Sequence, residues 1–361
     1  MNIKEIFSQI RDPRIERGKL HLLDDIFGLS LLAVICGAES WESIEVFGKS
    51  KEDFLKQILE LPNGIPSHDT IERVFRSVNS KEFEGAFLKW IATLSINTEG
   101  KIVSIDGKTL RGSQDENNGK YAIHMVSAWC DANSITLGQI KTESKTNEIQ
   151  AIKDLLNVLS IQGAIVTIDA MGCQKEIAAQ IVELKADYIL AVKENQKNLL
   201  QEMQDLFKYQ GAEEYFTKTE GDHGRIETRK CSIITKLNEL DKKEDWKKLS
   251  TIIKIESQRQ IKDKTTNQIR YYISSCIKTA EYFNTAIRTH WSIENKCHWV
   301  LDVQMNEDHS RKRKDHAAEN FAIIRRIALN LLKIKPYRRF GIQNKRLVAS
   351  WDHKFLLSLI I

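Results

Sequence analysis

The sequence contains few of the residues and runs that mark special classes of protein. Only four of its 361 residues are proline, and hydrophobic residues make up 42%, so a collagen-like or wholly disordered chain is excluded. Its six cysteines form no Cys-x-x-Cys pair, which excludes a zinc ribbon and fits the reduced thiols of a cytoplasmic protein. The longest apolar run, residues 26–38, is interrupted and too short to span a bilayer, and the charged first residues do not resemble a secretory signal. We therefore expect a cytoplasmic chain without a membrane segment.

The positive charge of the chain is concentrated near one end. The formal net charge is +5, yet residues 311–346 carry 12 lysines and arginines against two acidic residues, a local net of +10. The rest of the chain is therefore slightly acidic. A basic segment on such a body predicts a surface for nucleic acid, with a solvated helical face as the alternative.

Length and periodicity divide the chain into a helical part and a mixed part. A chain of 361 residues is long for one domain and short for three. Across residues 1–96, apolar residues recur at three- and four-residue spacing, which predicts an all-helical module. One of its helices, within residues 64–78, carries Arg73 and Arg76 three positions apart, as in DNA-recognition helices, although ordinary helical packing explains the same pattern.

From residue 97 to about 335, β-rich runs alternate with helical ones, which predicts a mixed α/β sheet whose last strands are parallel. Residues 195–275 are mostly strand-forming and are interpreted as a β-rich insertion, after which helices resume. Residues 336–361 are predicted to form a basic and apolar tail. Strands are predicted at 101–106, 120–131, 135–144, 164–169 and 187–193, with helices at 147–160 and 175–185.

Three acidic side chains occupy positions typical of a metal site. Asp106 and Asp169 each end a predicted strand, and Glu294 lies within a predicted helix. If the strands are neighbours and the helix crosses their edge, the carboxylates converge, and only hard cations relieve their mutual repulsion. The sequence therefore predicts a site for two Mg²⁺ ions, for which Mn²⁺ can substitute, suited to in-line displacement at a phosphodiester.

Each carboxylate also has a simpler explanation. The Asp-Gly pair at Asp106 is typical of a hairpin turn, Asp169 could cap the next helix, and Glu294 could pair with a histidine at helical spacing. Zinc is a sharper rival, because His290, Glu294 and His298 recur every four residues on one helix. Their span of two turns separates the outer pair too widely for one ion, which favours magnesium.

Seven segments, in order along the chain, carry a resemblance to a known family. They are DPRIERGKLHLLDDIFGLSLLAVICG, VSIDGKTLRGS, VTIDAMGCQKEIAAQI, DYILAVKENQ, HGRIETR, HWSIENKCHWVLDVQMNEDHSR and ENFAIIRRIALNLLK. Over residues 10 to about 335 the chain resembles the Asp-Asp-Glu (DDE) transposases of bacterial insertion sequences, in the group of the H-repeat-associated proteins. The resemblance implies a ribonuclease H-like core with Asp106, Asp169 and Glu294 as the metal-binding catalytic residues, a β-rich insertion, and a helical DNA-binding module in front.

The same resemblance implies a DNA transposase that cuts transposon ends and joins them to target DNA, as a homodimer on double-stranded DNA. The chain departs from related transposases at three positions around the Glu, where Ile287, His290 and Leu301 replace a Tyr, an Arg and a Lys. Arg288, His290 and the cluster at residues 311–314 are candidate substitutes. Two alternatives remain open: an inactive or repurposed DNA-binding relative, and a nuclease that acts on branched DNA or RNA hybrids.

Several basic and aromatic residues are candidates for contacts with DNA. Lys108 and Arg111 lie just beyond Asp106, and Lys193 lies just beyond the last predicted core strand. All three could contact phosphates or be solvated loop side chains. Trp299 could stack on an unpaired base near the cut, although core packing is the favoured alternative. The whole candidate set is Lys108, Arg111, Lys193, His223, Arg225, Arg229, Arg288, His290, Trp299, Arg311 and Arg313.

Overall fold

One mixed β-sheet connects most of the chain. The computed structural model describes residues 6–115, 119, 121–142, 147–222 and 224–360. The strands of this part are β1 (Ile102–Leu110), β2 (Ile123–Cys130), β3 (Ile135–Thr142), β4 (Ile165–Ile168), β5 (Asp187–Val192), β6 (Glu214–Asp222), β7 (Arg225–Ile234), β8 (Thr251–Ile261) and β9 (Lys264–Ser274). They lie side by side in the order β3-β2-β1-β4-β5-β9-β8-β7-β6.

The pairing directions confirm the predicted mixed sheet. β1 is antiparallel to β2 and parallel to β4, and β4 is parallel to β5, with β-branched residues filling these buried strands. The insertion forms strands, as predicted, and these extend the same sheet through the antiparallel pair of β5 and β9. It begins with a helix that was not predicted, Lys197–Tyr209, and includes the unpredicted strand β6.

Helices cover the sheet and form the N-terminal part. They are α1 (Leu23–Ile35), α2 (Trp41–Ser50), α3 (Glu52–Leu55), α4 (His68–Ser77), α5 (Ser80–Thr93), α6 (Glu148–Val158), α7 (Lys175–Glu183), α8 (Lys197–Tyr209), α9 (Ala280–His290), a π-helix (Ile293–His298), α10 (Trp299–Met305), α11 (Ala317–Ile334), α12 (Ile342–Trp351) and α13 (His353–Ile360). Short 3₁₀ turns occur at Glu16–Gly18, Arg111–Ser113, Ala170–Gly172, Glu194–Gln196 and Lys243–Asp245. None of the described helices combines the length and apolar character needed to cross a bilayer.

The helical N-terminal part is confirmed, and α11 is built into its core. Nearly every side chain of α1 is buried, and α11 packs against α1, α4, α5 and β3. Aromatic rings join the two parts, because Phe321 of α11 stacks edge-on to Trp41 at 5.1 Å and lies 5.8 Å from Phe75. The apolar core is therefore continuous from the first helices to the C-terminal ones.

The basic segment of residues 311–346 does not form one exposed surface. The Arg326 guanidinium is fully buried and donates to Glu307 at 2.6 Å, and the Lys345 ammonium donates to the carbonyl of Leu332 near the end of α11 at 2.7 Å. Both alternatives weighed for this segment, a solvated face and a DNA surface, are wrong for its buried cations. These are Lys312, Arg325, Arg326, Lys345 and Arg346. The expected tail likewise contains α12 and α13, which bury apolar side chains.

Candidate active site

The two aspartates lie on adjacent parallel strands. Ile105 of β1 is opposite Ile168 of β4, so Asp106 and Asp169, the next residues along the two chains, lie side by side. Asp169 directly follows β4, as predicted, and one of its oxygens accepts a hydrogen bond from the Met171 backbone at 3.1 Å. This contact confirms that Asp169 caps the next turn, without excluding a second role for its other oxygen.

Asp106 does not end its strand, contrary to the prediction. β1 continues to Leu110 because its second half pairs with β2, with Gly107 opposite Val126 and Leu110 opposite Ile123. This pairing also rules out the hairpin turn that the Asp-Gly pair favoured. The strand therefore fixes Asp106 rigidly in mid-sheet.

His298 is the direct partner of Asp106. Its Nδ1 lies 3.4 Å from an oxygen of Asp106, and its buried Nε2 has no hydrogen-bond partner within the described structure. Burial raises the pKa of Asp106, but the hydrogen bond and charge of His298 and the charge of His290 outweigh it, so the pKa lies below the usual value. This environment keeps Asp106 ionised and able to hold a cation.

The pKa of Asp169 is shifted in the opposite direction. Burial raises it first, and the carboxylates of Glu148 and Asp106 raise it further. The two aspartates therefore repel each other when no cation lies between them. Hard divalent cations bind carboxylate oxygens and remove this repulsion, so the donor chemistry fits magnesium or manganese.

Glu294 lies within a helix, as predicted, and the helix is of the π type at this point. Its side chain is exposed, whereas Ile293, Cys297 and His298 of the same π-helix are buried. A π-helix places one extra residue in the turn, a feature that recurs at functional sites. With side chains in this arrangement, no three His, Cys, Asp or Glu residues of the described chain form a group able to hold a metal ion. The convergence of all three carboxylates thus stays a prediction.

A cavity of about 620 Å³ joins Asp106 to Glu294. Asp106, Glu294, His298 and Trp299 line it together with Arg111. Trp299 is 51% exposed, so the core packing favoured for this ring is wrong, and the indole is accessible beside the carboxylates. Asp169 lines a neighbouring cavity of about 490 Å³, together with Lys193 and His290.

His290 contacts the strand that leads to Asp169. Its Nδ1 lies 2.9 Å from the hydroxyl of Thr167, and burial lowers its pKa despite the nearby Asp106 carboxylate. The zinc alternative required His290 and His298 to share one ion with Glu294. Instead, each histidine has a separate neighbour in the sheet, Thr167 for one and Asp106 for the other.

Lys108 and Arg229 are buried, which argues against the DNA contacts predicted for them. The Lys108 ammonium is 2.6 Å from Asp302 and 2.9 Å from Asp308. Arg229 donates to the backbone carbonyl of Asn284 at 3.4 Å. Lys108 therefore fits neither the predicted DNA contact nor its alternative, a solvated loop side chain. It lies within β1, among carboxylates supplied by α10 and the loop after α10.

The other candidate DNA contacts occupy varied environments. Arg111, Lys193, Arg288 and Arg311 are exposed, whereas Arg313 is half-buried and donates to the Gly112 carbonyl at 3.0 Å. His223 lies outside the described residues. In the helical part, Arg73 is exposed, and Arg76 forms an ion pair with Asp315 at 2.9 Å.

Arginines gather in a third cavity, which shares Arg270 and Trp291 with the cavity of Asp169. Arg225 and Arg288 both contact Glu227, at 3.0 and 3.4 Å, and Glu227 is the sole carboxylate among the lining residues. Trp291 forms part of this wall, with the Arg270 guanidinium 4.6 Å from its ring centre. This cavity of about 270 Å³, here called the arginine cavity, is lined by Arg225, Arg229, Arg259, Arg270 and Arg288.

Sequence reasoning missed Glu148 and its partner His124. The Glu148 carboxylate is buried at the start of α6 and lies 3.1 Å from His124, whose other ring nitrogen meets the Thr109 hydroxyl. A Cβ at Gly107 would come within 2.5 Å of His124 and 2.6 Å of Glu148, so a side chain beside Asp106 would displace this pair. The only signal in the sequence is an acidic residue at a helix start, which is too common to single out.

Comparison with known proteins gives consistent matches. Residues 97–331 match the family model described as "Transposase DDE domain", and residues 4–91 match the one described as "DDE_Tnp_1-associated". The chain is 44% identical to YncI of Escherichia coli O157:H7, covering 96% of this chain and 90% of that protein. It is 42% identical to the H repeat-associated protein YhhI of Escherichia coli (strain K12), covering 99% and 97%.

Two further similarities differ in extent. The protein named "Inactive transposase YbfQ" of Escherichia coli (strain K12) is 48% identical over 77 residues, which is 20% of this chain and 92% of that protein. A solved structure of the piggyBac transposase synaptic complex with hairpin DNA superposes with a TM-score of 0.49 at 12% identity. It covers 99% of this chain and 76% of the other.

Proposed function

This chain belongs to the DDE transposase family, and we propose that it cuts DNA at the ends of a mobile element and transfers those ends into target DNA. The observation that carries the proposal is the pair Asp106 and Asp169 on adjacent strands, with Glu294 lining the same cavity as Asp106. The proposed reaction is hydrolysis of a phosphodiester to leave a 3′-hydroxyl. That hydroxyl then attacks a target phosphodiester and displaces its 3′ oxygen.

We assign the sheet β3-β2-β1-β4-β5 to a ribonuclease H-like core. The support is its order and direction, because β2 alone among these five strands runs antiparallel to the others, and β3, β1, β4 and β5 share one direction. In this division, residues 97–335 form the catalytic part and residues 195–275 its insertion. Residues 1–96 form the helical DNA-binding part, and residues 336–361 follow the catalytic part.

Asp106 and Asp169 would hold a divalent metal, with Glu294 as the third carboxylate. We propose that this metal is a pair of Mg²⁺ ions. When bound, they would supply a water of lowered pKa and stabilise charge on the phosphate oxygens. His298 keeps the Asp106 carboxylate ionised and oriented toward the cavity. Trp299, exposed on the cavity wall, would stack on a base next to the cut.

Positive side chains near the aspartates would bind the DNA phosphates. Arg111 lines the cavity of Asp106, and Lys193 lines that of Asp169. Arg225 and Arg288 of the arginine cavity extend this surface along the insertion, with Glu227 as their shared carboxylate. We further propose that two copies of the chain act together, because the reaction joins two DNA ends.

A second candidate is a DNA-binding relative that has lost cleavage. The observation in its favour is the similarity to a protein named as an inactive transposase. That similarity covers only a fifth of this chain, whereas Asp106, Asp169 and Glu294 are all present here. Active cleavage is therefore the stronger proposal.

The decisive experiment measures strand cleavage of a duplex that carries the element's own ends, with Mg²⁺ or Mn²⁺. We expect metal-dependent cutting by the natural chain and its loss in Asp106→Asn and Glu294→Gln. Glu281→Gln removes an exposed carboxylate at the start of α9 and serves as the matched control that retains cutting.

Each other outcome has a definite meaning. Cutting that survives Glu294→Gln but not Asp106→Asn would reject the role of Glu294 while leaving a two-aspartate site. Tight DNA binding without cutting by the natural chain would establish the second candidate instead.

A further inference from the structure

A polar segment after β5 holds the turn that carries Asp169. This segment, residues 193–196, reads Lys-Glu-Asn-Gln, and the proposed chemistry gives its last two residues no role. β4 and β5 are adjacent and parallel, so the residues that follow them meet at the same edge of the sheet. The turn after β4 and the segment after β5 are thereby brought together.

Two side-chain amides hold the turn at its two ends. The Asn195 amide donates to the carbonyl oxygen of Ala170 at 2.7 Å, and the Gln196 amide donates to that of Cys173 at 2.9 Å. Ala170 directly follows Asp169, and Cys173 directly follows the 3₁₀ turn. The backbone that sets the direction of Asp169 is therefore bonded from the neighbouring strand.

The turn has little other freedom. The Asp169 carboxylate itself accepts hydrogen bonds from the backbone of Met171 and Gly172 within the turn. A side chain at Gly172 would come within 2.3 Å of Ile168, so the turn lies directly against β4. Small shifts of the turn thus pass directly to the Asp169 carboxylate.

We propose that Asn195 and Gln196 are positioning residues that hold the Asp169 carboxylate where it can share a divalent cation with Asp106. The proposal rests on the proposed function, since it concerns the metal affinity of the same site. Amides suit this task because they donate hydrogen bonds without charge. A lysine in either place could also donate, but its charge would oppose a cation bound at Asp169.

The test measures Mn²⁺ binding to the full chain by calorimetry without DNA, together with urea unfolding. The variants are Asn195→Ala, Gln196→Ala and the two combined. The matched control is Asn198→Ala, an exposed amide two residues further along. Substitution of a residue that orients a metal ligand typically weakens metal binding by about 10–100-fold. We therefore expect the combined variant to bind Mn²⁺ at least about tenfold more weakly than the natural chain does.

Two further measurements separate positioning from general stability. DNA affinity without metal should be unchanged, and cutting by the variants should recover when Mn²⁺ is raised. A purely structural role predicts the reverse, namely a lower free energy of unfolding with unchanged Mn²⁺ affinity. That result would overturn the proposal.

The single variants keep the test informative if the combined variant unfolds, because each retains one of the two amide hydrogen bonds. Mn²⁺ affinity within twofold of the natural chain in both folded single variants would then reject the proposal. Asp169→Asn tests the proposed function separately. If it also leaves Mn²⁺ affinity unchanged, the metal site itself is wrong, which differs from a failure of the two amides to position it.

Discussion

The buried cations of residues 311–346 and the arginines of the arginine cavity are chemically alike but differ in their partners. Arg326 lies against a buried carboxylate, and Lys345 against helix-end carbonyls. The arginine cavity is instead lined by five arginines and one carboxylate, Glu227, which Arg225 and Arg288 contact. The buried cations are held among groups of the protein core, whereas the arginines of the cavity outnumber the one carboxylate that lines it. A count of basic residues therefore does not locate a DNA surface, because burial and pairing decide which charges remain for a ligand.

The largest effect should come from breaking the buried pair of Arg326 and Glu307. Arg326→Met would leave a fully buried carboxylate without its guanidinium, a change that typically costs about 3–5 kcal/mol. Urea unfolding would measure the loss. Arg288→Met, in the arginine cavity, should change the free energy of unfolding by no more than roughly 0.5 kcal/mol. Equal losses of unfolding free energy in the two variants would mean that Arg288 stabilises the fold as much as Arg326 does.

A smaller effect concerns Lys312, which lies between the rings of Trp41 and Phe321. Burial lowers the pKa of Lys312 to about 7, with the charge of Arg325 acting in the same direction. Between that value and the ordinary 10.5, the unfolded chain binds one more proton than the folded one, so stability rises with pH. Urea unfolding at pH 7 and pH 9 should show this rise in the natural chain and less of it in Lys312→Met. Parallel pH profiles would contradict the assignment.

The smallest effect should appear at a single arginine of the arginine cavity. Arg288→Ala should weaken DNA binding. The negative slope of log affinity against log salt concentration should become shallower by about 1, as expected for one lost phosphate contact. Lys354→Ala, an exposed cation on α13, is the control and should leave the slope unchanged. A slope insensitive to Arg288 would mean that the cavity does not face DNA phosphates.

The sequence predicted most of the central sheet because its strands are strongly marked. The β-branched runs of β1, β4 and β5 separated clearly from the helical periodicity of α6 and α7, and Asp169 was placed correctly after β4. The helix α8 was not predicted because its amphipathic pattern lies at the start of a segment that was interpreted as mostly strand-forming. Strand β1 was ended too early because Asp-Gly usually marks a turn, and only the pairing with β2 overrides that preference.

Features that depend on distant partners could not be predicted. Lys108 is buried because Asp302 and Asp308, about 200 residues away in sequence, surround its ammonium group. The π-helix under Glu294 depends on a local backbone choice that apolar spacing does not encode. Seven ordered motifs nevertheless led to the family, because shared sequence segments identify ancestry even where they do not specify contacts.

The packing of α11 against α1 also determines when the chain can fold. Residues 23–35 are made before every strand of the sheet, whereas residues 317–334, which pack against them, are made after the last strand. The part of the apolar surface of α1 that α11 covers therefore stays open until the sheet has been synthesised. A gene copy truncated before residue 317 would encode an α1 that keeps its neighbours Phe75 and Phe83 but lacks α11, and its product would be open to aggregation and proteolysis.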